Sequence, residues 1–301
     1  MPGKTPPDSD ISTLLNDKLP VVNETLTRLL AEQAQIEPDL KKALAYTLDA
    51  PGKRIRSVLL LWCCELIAGS DNPDARIAAA AIEIVHTYSL VHDDLPAMDD
   101  DDLRRGRPTC HKAFDEATAI LTGDALLTLA FELLATRVAS PALAVKLITE
   151  LSQACGPAGM IAGQMADLRA ENTVGTIEGL EYIHINKTAK MFRAATVMGG
   201  LCGGATDEQI EALSQYGMKI GLGFQIADDI LDVSASSEQL GKTAGKDVEA
   251  AKCTYPALVG IEKSRELERT LAQEAIDALS GFAAAGDRLR QLALALLERT
   301  K

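Results

Sequence analysis

Residues 92–108 read HDDLPAMDDDDLRRGRP, with six aspartates in ten positions and then three arginines within four. Carboxylates at this density repel one another and resist burial. An acidic run is ordinarily a solvated face, but a second cluster stands in a different setting. In GFQIADDILDV, residues 223–233, Asp228 and Asp232 are four apart with Asp229 beside them. On a helix, positions four apart share a face. These three carboxylates sit among Phe224, Ile226, Ile230, Leu231 and Val233, and such groups need a cation. The first cluster follows the apolar IVHTYSLVH. Asp93 and Asp94 close that segment, Pro96 disturbs helix geometry, and Asp99 comes six residues after Asp93. Two such carboxylate groups suit Mg²⁺, which takes oxygen ligands and binds through carboxylates plus substrate phosphates.

Basic residues supply the opposite charge. PGKRIRS places Lys53, Arg54 and Arg56 before a long apolar run, and LRRGR places Arg104 and Arg105 directly after the acids. INKTAK carries Lys187 and Lys190, and LGKTAGK carries Lys242 and Lys246. Arginine grips phosphate as a fork and lysine as a point charge. A site with both metal-bound and side-chain cations suits two phosphorylated substrates bound side by side. No Ser/His/Asp or Cys/His arrangement suggests a protein nucleophile.

The elements that must position these groups read as helices. Leu14, Leu15, Leu19, Val22, Leu26 and Leu29/Leu30 recur at three- and four-residue steps. Alanine-rich stretches such as DARIAAAAIEIVHTYSLVH favour helix. Clean alternating β-branched runs are missing, and aromatics are 4% of the chain. Breaks at 49–53, 69–73, 139–142, 155–159 and 203–206 are short, which suits antiparallel neighbouring helices. The longer polar stretches, 96–117 and 234–252, are the candidates for function. The expectation is a disordered tail at 1–10 and a single all-α domain over 11–301.

The 301 residues carry a net charge of −13, which would repel nucleic acid rather than release its counterions. The six cysteines are scattered without a C-x-x-C pair and are expected to be buried thiols. The apolar stretch Val58–Ala68 is interrupted by Glu65 and is too short to span a bilayer, so no stable membrane insertion is expected. The first ten residues hold no apolar signal core. Together these features lead us to expect a cytoplasmic location.

DDLPAMD followed by DDDLRRGRP, with GFQIADDILD about 135 residues later, resembles the short-chain trans-prenyltransferases, most closely those of the bacterial farnesyl diphosphate synthase type. The resemblance runs from GKRIRS to KCTYPAL. It implies an isoprenoid-synthase-type helical bundle around a central cavity, a homodimer, and two or three Mg²⁺ ions per active site. It further implies that Asp93, Asp94, Asp99, Asp228, Asp229 and Asp232 hold Mg²⁺ against an allylic diphosphate. Lys53, Arg56, His86 and Arg105 would bind isopentenyl diphosphate. Arg104, Lys187, Thr188, Gln225 and Lys242 would surround the allylic substrate, with Lys187, Thr188, Gln225 and Arg104 nearest the chemistry. His86 alone would read as a core histidine.

In this family, residues one turn before the first motif face the cavity and limit product length; here these are Tyr88 and Ser89. The Tyr88 ring suggests a C15 product, with C20 the alternative. A terpene cyclase is disfavoured by DDILD, since its second metal motif mixes Asn, Ser/Thr and Glu. A non-catalytic partner subunit is disfavoured because both acidic motifs and the basic residues are intact.

Overall fold

The computed structural model describes residue 11 and residues 13–170, 175–234 and 254–298. Helix starts coincide with caps and prolines written in the sequence. Helix α1 is Leu19–Glu32, with proline in its first turn. In α2 (Pro38–Leu48) the Glu37 carboxylate accepts the Leu40 N–H at 2.8 Å. Helix α3 is Ile55–Ala68. Helix α4 (Pro73–Asp93) is capped by Asn72, which accepts the Ala75 N–H at 2.9 Å. Proline at these starts pre-sets φ and lacks an N–H that would go unpaired. After the acidic loop come a short helix α5 (Cys110–Ala113), then α6 (Glu116–Arg137), α7 (Pro141–Cys155), α8 (Met160–Ala170) and α9 (Ile177–His184). A π-helical segment, Ile185–Ala189, joins α9 to α10 (Lys190–Gly203). Helix α11 (Asp207–Ser234), the short α12 (Tyr255–Val259), α13 (Ile261–Ala278) and α14 (Asp287–Glu298) complete the described bundle.

Helix α3 lies at the centre because it is apolar nearly all round: Ser57 through Cys64 are all buried. Each fully buried leucine there contributes about 2 kcal/mol. It packs on α10, which packs in turn on α11, while α4 packs on α6. Helix α6 is long and apolar enough to cross a membrane by composition, but it packs on α4 and buries Leu126, Leu129, Leu133 and Leu134 in the core. The α3–α10 crossing is close: a Cβ on Gly199 would stand 2.3 Å from the Leu60 carbonyl oxygen. Among the described cysteines, Cys63, Cys64, Cys110, Cys155 and Cys202 are buried free thiols.

The fold is all-α, and among the described residues one short hairpin interrupts the helices. Leu103–Arg104 pairs antiparallel with Arg107–Pro108, with Leu103 opposite Pro108. Arg105 and Gly106 take positive φ of 53° and 76°, the turn that matches strand twist in two-residue hairpins. Strands of two residues are too short to show alternation in sequence.

Gly199→Ala is expected to destabilise the protein by about 2 kcal/mol or more, because neither backbone nor Cys63 can yield easily at that crossing. Chemical denaturation checks it; an unchanged midpoint would show that the crossing relaxes.

Candidate active site

Asp93 is the last residue of α4, and the loop after it folds back on the helix end. The Asp99 N–H donates to the Asp93 carbonyl at 2.8 Å, Asp100 N–H to Leu95 at 3.2 Å, and Asp101 N–H to Asp94 at 3.2 Å. This brings Asp99 beside Asp93 despite the six-residue gap. Burial pushes the Asp93 carboxyl up to about 6; Asp99 and Asp94 add to the rise, and Lys187 and Arg104 oppose it. Asp94 is turned into the protein. It is 3% exposed, and Arg104 holds its Oδ1 through Nε at 2.6 Å and a terminal nitrogen at 2.5 Å. Arg104 also reaches Asp101 at 3.4 Å. The two sequence neighbours thus have different surroundings.

Arginines gather next to this helix end. Arg54, with φ of 49° just before α3, is buried and donates to Glu83 at 3.0 Å, to the Leu48 carbonyl at 2.5 Å and to that of Ala50 at 3.1 Å. Glu83 also accepts from the Ser57 hydroxyl at 2.8 Å. The loop carrying Lys53 is thereby tied to α4. The Arg105 guanidinium donates to the Pro51 carbonyl at 2.6 Å. Arg56 lies 4.9 Å from the Phe192 ring centroid, and its Nε is buried without a hydrogen-bond partner. Burial lowers the Arg56 guanidinium to about 10, with Glu83 and Asp228 opposing and Arg105 adding to the fall. His86 is kept neutral by burial and by Arg56, Arg105, Arg54 and Arg104 around it. A cavity of about 50 Å³ is bordered by Arg54, Glu83, His86, Asp94, Arg104 and Arg105 among others. Cations outnumber carboxylates along that wall, which suits a phosphate-type anion.

The second motif divides as the first does. Asp229 is buried; its Oδ2 accepts the Tyr255 N–H at 3.0 Å, and Gln225 also hydrogen-bonds to it. His184 Nε2 stands 3.7 Å away. Burial raises the Asp229 carboxyl to about 7, with Asp228 and Asp232 adding to the rise. Asp228 is less buried and lies within electrostatic reach of Arg56.

The π segment connects the two motifs. A π turn widens the helix by one residue and often marks a functional site. Lys187 Nζ donates to Asp167 at 2.6 Å and acts electrostatically on Asp93. The Thr188 hydroxyl donates to Gln225 Oε1 at 2.9 Å, so Thr188, Gln225 and Asp229 form one chain. Ser89, one turn before Asp93, donates to the His86 carbonyl at 2.9 Å. Tyr88 is 6% exposed, packs edge-on to His92 at 5.8 Å, and lies near Cys155 at the end of α7.

The structure therefore gathers Arg56, His86, Asp93, Asp94, Asp99, Arg104, Arg105, Lys187, Thr188, Gln225, Asp228 and Asp229 into one connected region. Lys53 stands half-buried at its edge, and Asp232 lies one turn beyond Asp228 on α11. Lys242 lies outside the described residues. Lys190 points elsewhere, to Asn186 at 2.7 Å and the Ala158 carbonyl at 2.6 Å. Three residues of the region escape the sequence reading: Glu83, Asp167 and Gln164, whose amide atoms are buried without partners. Glu83 carried a usable signal, a lone carboxylate in an apolar helix. Asp167 is marked only by its partner. A more open hollow of about 650 Å³ lies on another face of α8, bordered by Ile161, Met165, Tyr182 and Ile183, and holds none of these groups.

The donor set fits Mg²⁺. Asp93 and Asp99 are hard oxygen ligands held close by the backbone, and a divalent cation would offset both the burial that mainly raises the Asp93 carboxyl and the smaller repulsion from Asp99 and Asp94.

The Polyprenyl synthetase family model matches residues 37–289. Geranylgeranyl pyrophosphate synthase 7, chloroplastic, of Arabidopsis thaliana is 49% identical over 91% of this chain and 79% of its own length. The structure of a geranyltransferase from Legionella pneumophila superposes with a TM-score of 0.85 at 37% identity, covering 96% of this chain and 98% of that one. A geranyltransferase from Helicobacter pylori, complexed with magnesium and isoprenyl diphosphate, gives 0.78 at 35%, covering 99% and 98%.

A carboxyl raised by folding stabilises the fold at low pH and loses that contribution as pH rises through its folded value, here about 6. Asp93→Asn should therefore stabilise the metal-free protein at pH 8 by roughly 1 kcal/mol, a small figure because the group is partly solvated. The gain should vanish below about pH 4, where the parent carboxyl is protonated. Thermal unfolding in EDTA checks this, and a variant less stable than the parent at pH 8 contradicts it.

Proposed function

The chain belongs to the polyprenyl synthetase family and is a prenyltransferase that elongates prenyl diphosphates; we propose that it joins isopentenyl diphosphate head to tail, first to dimethylallyl and then to geranyl diphosphate. The observation carrying this reading is that the π segment links the two aspartate motifs through Lys187 and Thr188, with the arginine cluster gathered beside the first motif.

Asp93, Asp99, Asp228 and Asp232 are the residues we assign to two or three Mg²⁺ ions. When bound, Mg²⁺ neutralises the allylic diphosphate and makes it a competent leaving group. Lys53, Arg56, His86 and Arg105 bind isopentenyl diphosphate; Arg56 offers its partnerless Nε. We assign Lys187 to the allylic diphosphate, and Lys242 to it by the sequence resemblance alone. Arg104, locked on Asp94, holds the loop in place. Ionisation of the allylic C–O bond leaves a carbocation that water would quench, and the apolar walls with Phe192 and Phe224 exclude it. The dipoles of Thr188 and Gln225 stabilise the cation. The double bond of isopentenyl diphosphate attacks C1, and the departing diphosphate takes the proton.

Tyr88 supports a C15 product: a buried ring one turn before Asp93 stops the growing chain. A C20 product is the second reading, favoured by the name of the 49%-identical Arabidopsis relative. Exposed Ile120, Leu121 and Val145 on α6 and α7 support a homodimer; a cytoplasmic location is part of the proposal.

Purified protein given labelled isopentenyl diphosphate, dimethylallyl diphosphate and Mg²⁺ should yield a C15 alcohol after dephosphorylation, and none in EDTA. A C20 alcohol would establish the second reading; no product at all would overturn the reaction. Tyr88→Ala should lengthen the product by at least one C5 unit, and an unchanged length would remove Tyr88 as the floor. Asp228→Ala should lower kcat by about 100-fold or more with helix content intact, and a near-parental rate would contradict its assignment to metal.

A further inference from the structure

Asp100 and Asp102 belong to the acidic run but lie on its exposed side. Each brings a carboxylate oxygen, and His111 a ring nitrogen, to within 4.8 Å of one another. His111, on the short helix α5, is only 7% exposed. Its Nδ1 stands 3.2 Å from the Thr109 hydroxyl, and that hydroxyl gives its own proton to the Asp101 carbonyl at 2.7 Å. The hydroxyl oxygen is left to accept, so Nδ1 carries the ring proton and Nε2 the lone pair. Nε2 is buried and has no hydrogen-bond partner. A buried acceptor left unmatched is costly. A ring whose one nitrogen is anchored by a hydrogen bond while the other keeps its lone pair is the arrangement of a metal-binding histidine.

We propose that Asp100, Asp102 and His111 form a divalent-cation site on the solvent side of the acidic loop, separate from the carboxylates that face the substrates. Two oxygens and an imidazole nitrogen suit a borderline first-row ion such as Zn²⁺ or Mn²⁺ better than Mg²⁺, which prefers oxygen alone. Lys112 stands in the ion's way: its ammonium is 2.8 Å from Asp102 and also feels Asp100. It is an exposed, flexible side chain that a divalent ion displaces. The bound ion would tie the loop that positions Asp99 to the helix that follows the arginine hairpin.

The test is calorimetric titration of Zn²⁺ into the full-length protein in excess Mg²⁺, with ¹⁵N spectra of the histidine rings. One Zn²⁺ should bind per chain and shift the His111 Nε2 resonance. His111→Gln and Asp100→Asn should each weaken it by about 10-fold or more, while Asp93→Asn leaves it unchanged. Asp100 is exposed, so its variant carries the test if His111→Gln fails to fold. Binding that survives both substitutions, that is lost with Asp93→Asn, or that does not occur in excess Mg²⁺ overturns the site.

Discussion

Everything in this fold answers to one constraint: carboxylates that repel one another are held together at buried and partly buried positions. The cost is visible in the raised carboxyls of Asp93 and Asp229. Proteins tolerate such strain where function needs it and brace it from behind. Here the braces are specific. The loop after α4 closes on backbone hydrogen bonds from Asp99 and Asp101, and Arg104 neutralises Asp94.

Each aspartate pair divides the labour. The second residue of each pair is committed to the protein: Asp94 to Arg104, and Asp229 to the Tyr255 N–H and Gln225. That commitment fixes the helix end or helix face and so sets the position of the first residue, Asp93 or Asp228, which we propose meets the substrates. The π segment completes the frame. Its wider turn sets Lys187 toward Asp93 and Asp167 while Thr188 reaches Gln225 on α11, so one irregular turn spans both motifs.

Much of this was legible in the sequence because the chemistry-bearing residues sit at helix ends and on helix faces, where period and caps are readable. Asp93 at the end of an apolar run before Pro96, and Asp228 with Asp232 on one face, are examples. The partition within each pair was not legible, because it depends on partners distant in sequence: Arg104 across a loop for Asp94, Tyr255 twenty-six residues on for Asp229. Glu83 and Asp167 went unread for the same reason, their roles being set by Arg54 and Lys187. The two-strand hairpin and the π turn are local departures that no periodicity over ten residues can register.

The most direct test of this division is a crystal structure with Mn²⁺ in place of Mg²⁺ and a non-reactive allylic diphosphate, with the ions located by anomalous scattering. The account predicts active-site ions bridged by Asp93 and Asp99 on one side and bound by Asp228 on the other. Asp94 should remain on Arg104, and Asp229 on the Tyr255 N–H. An ion bound directly by Asp94 or Asp229, with Arg104 or Tyr255 displaced, would contradict it.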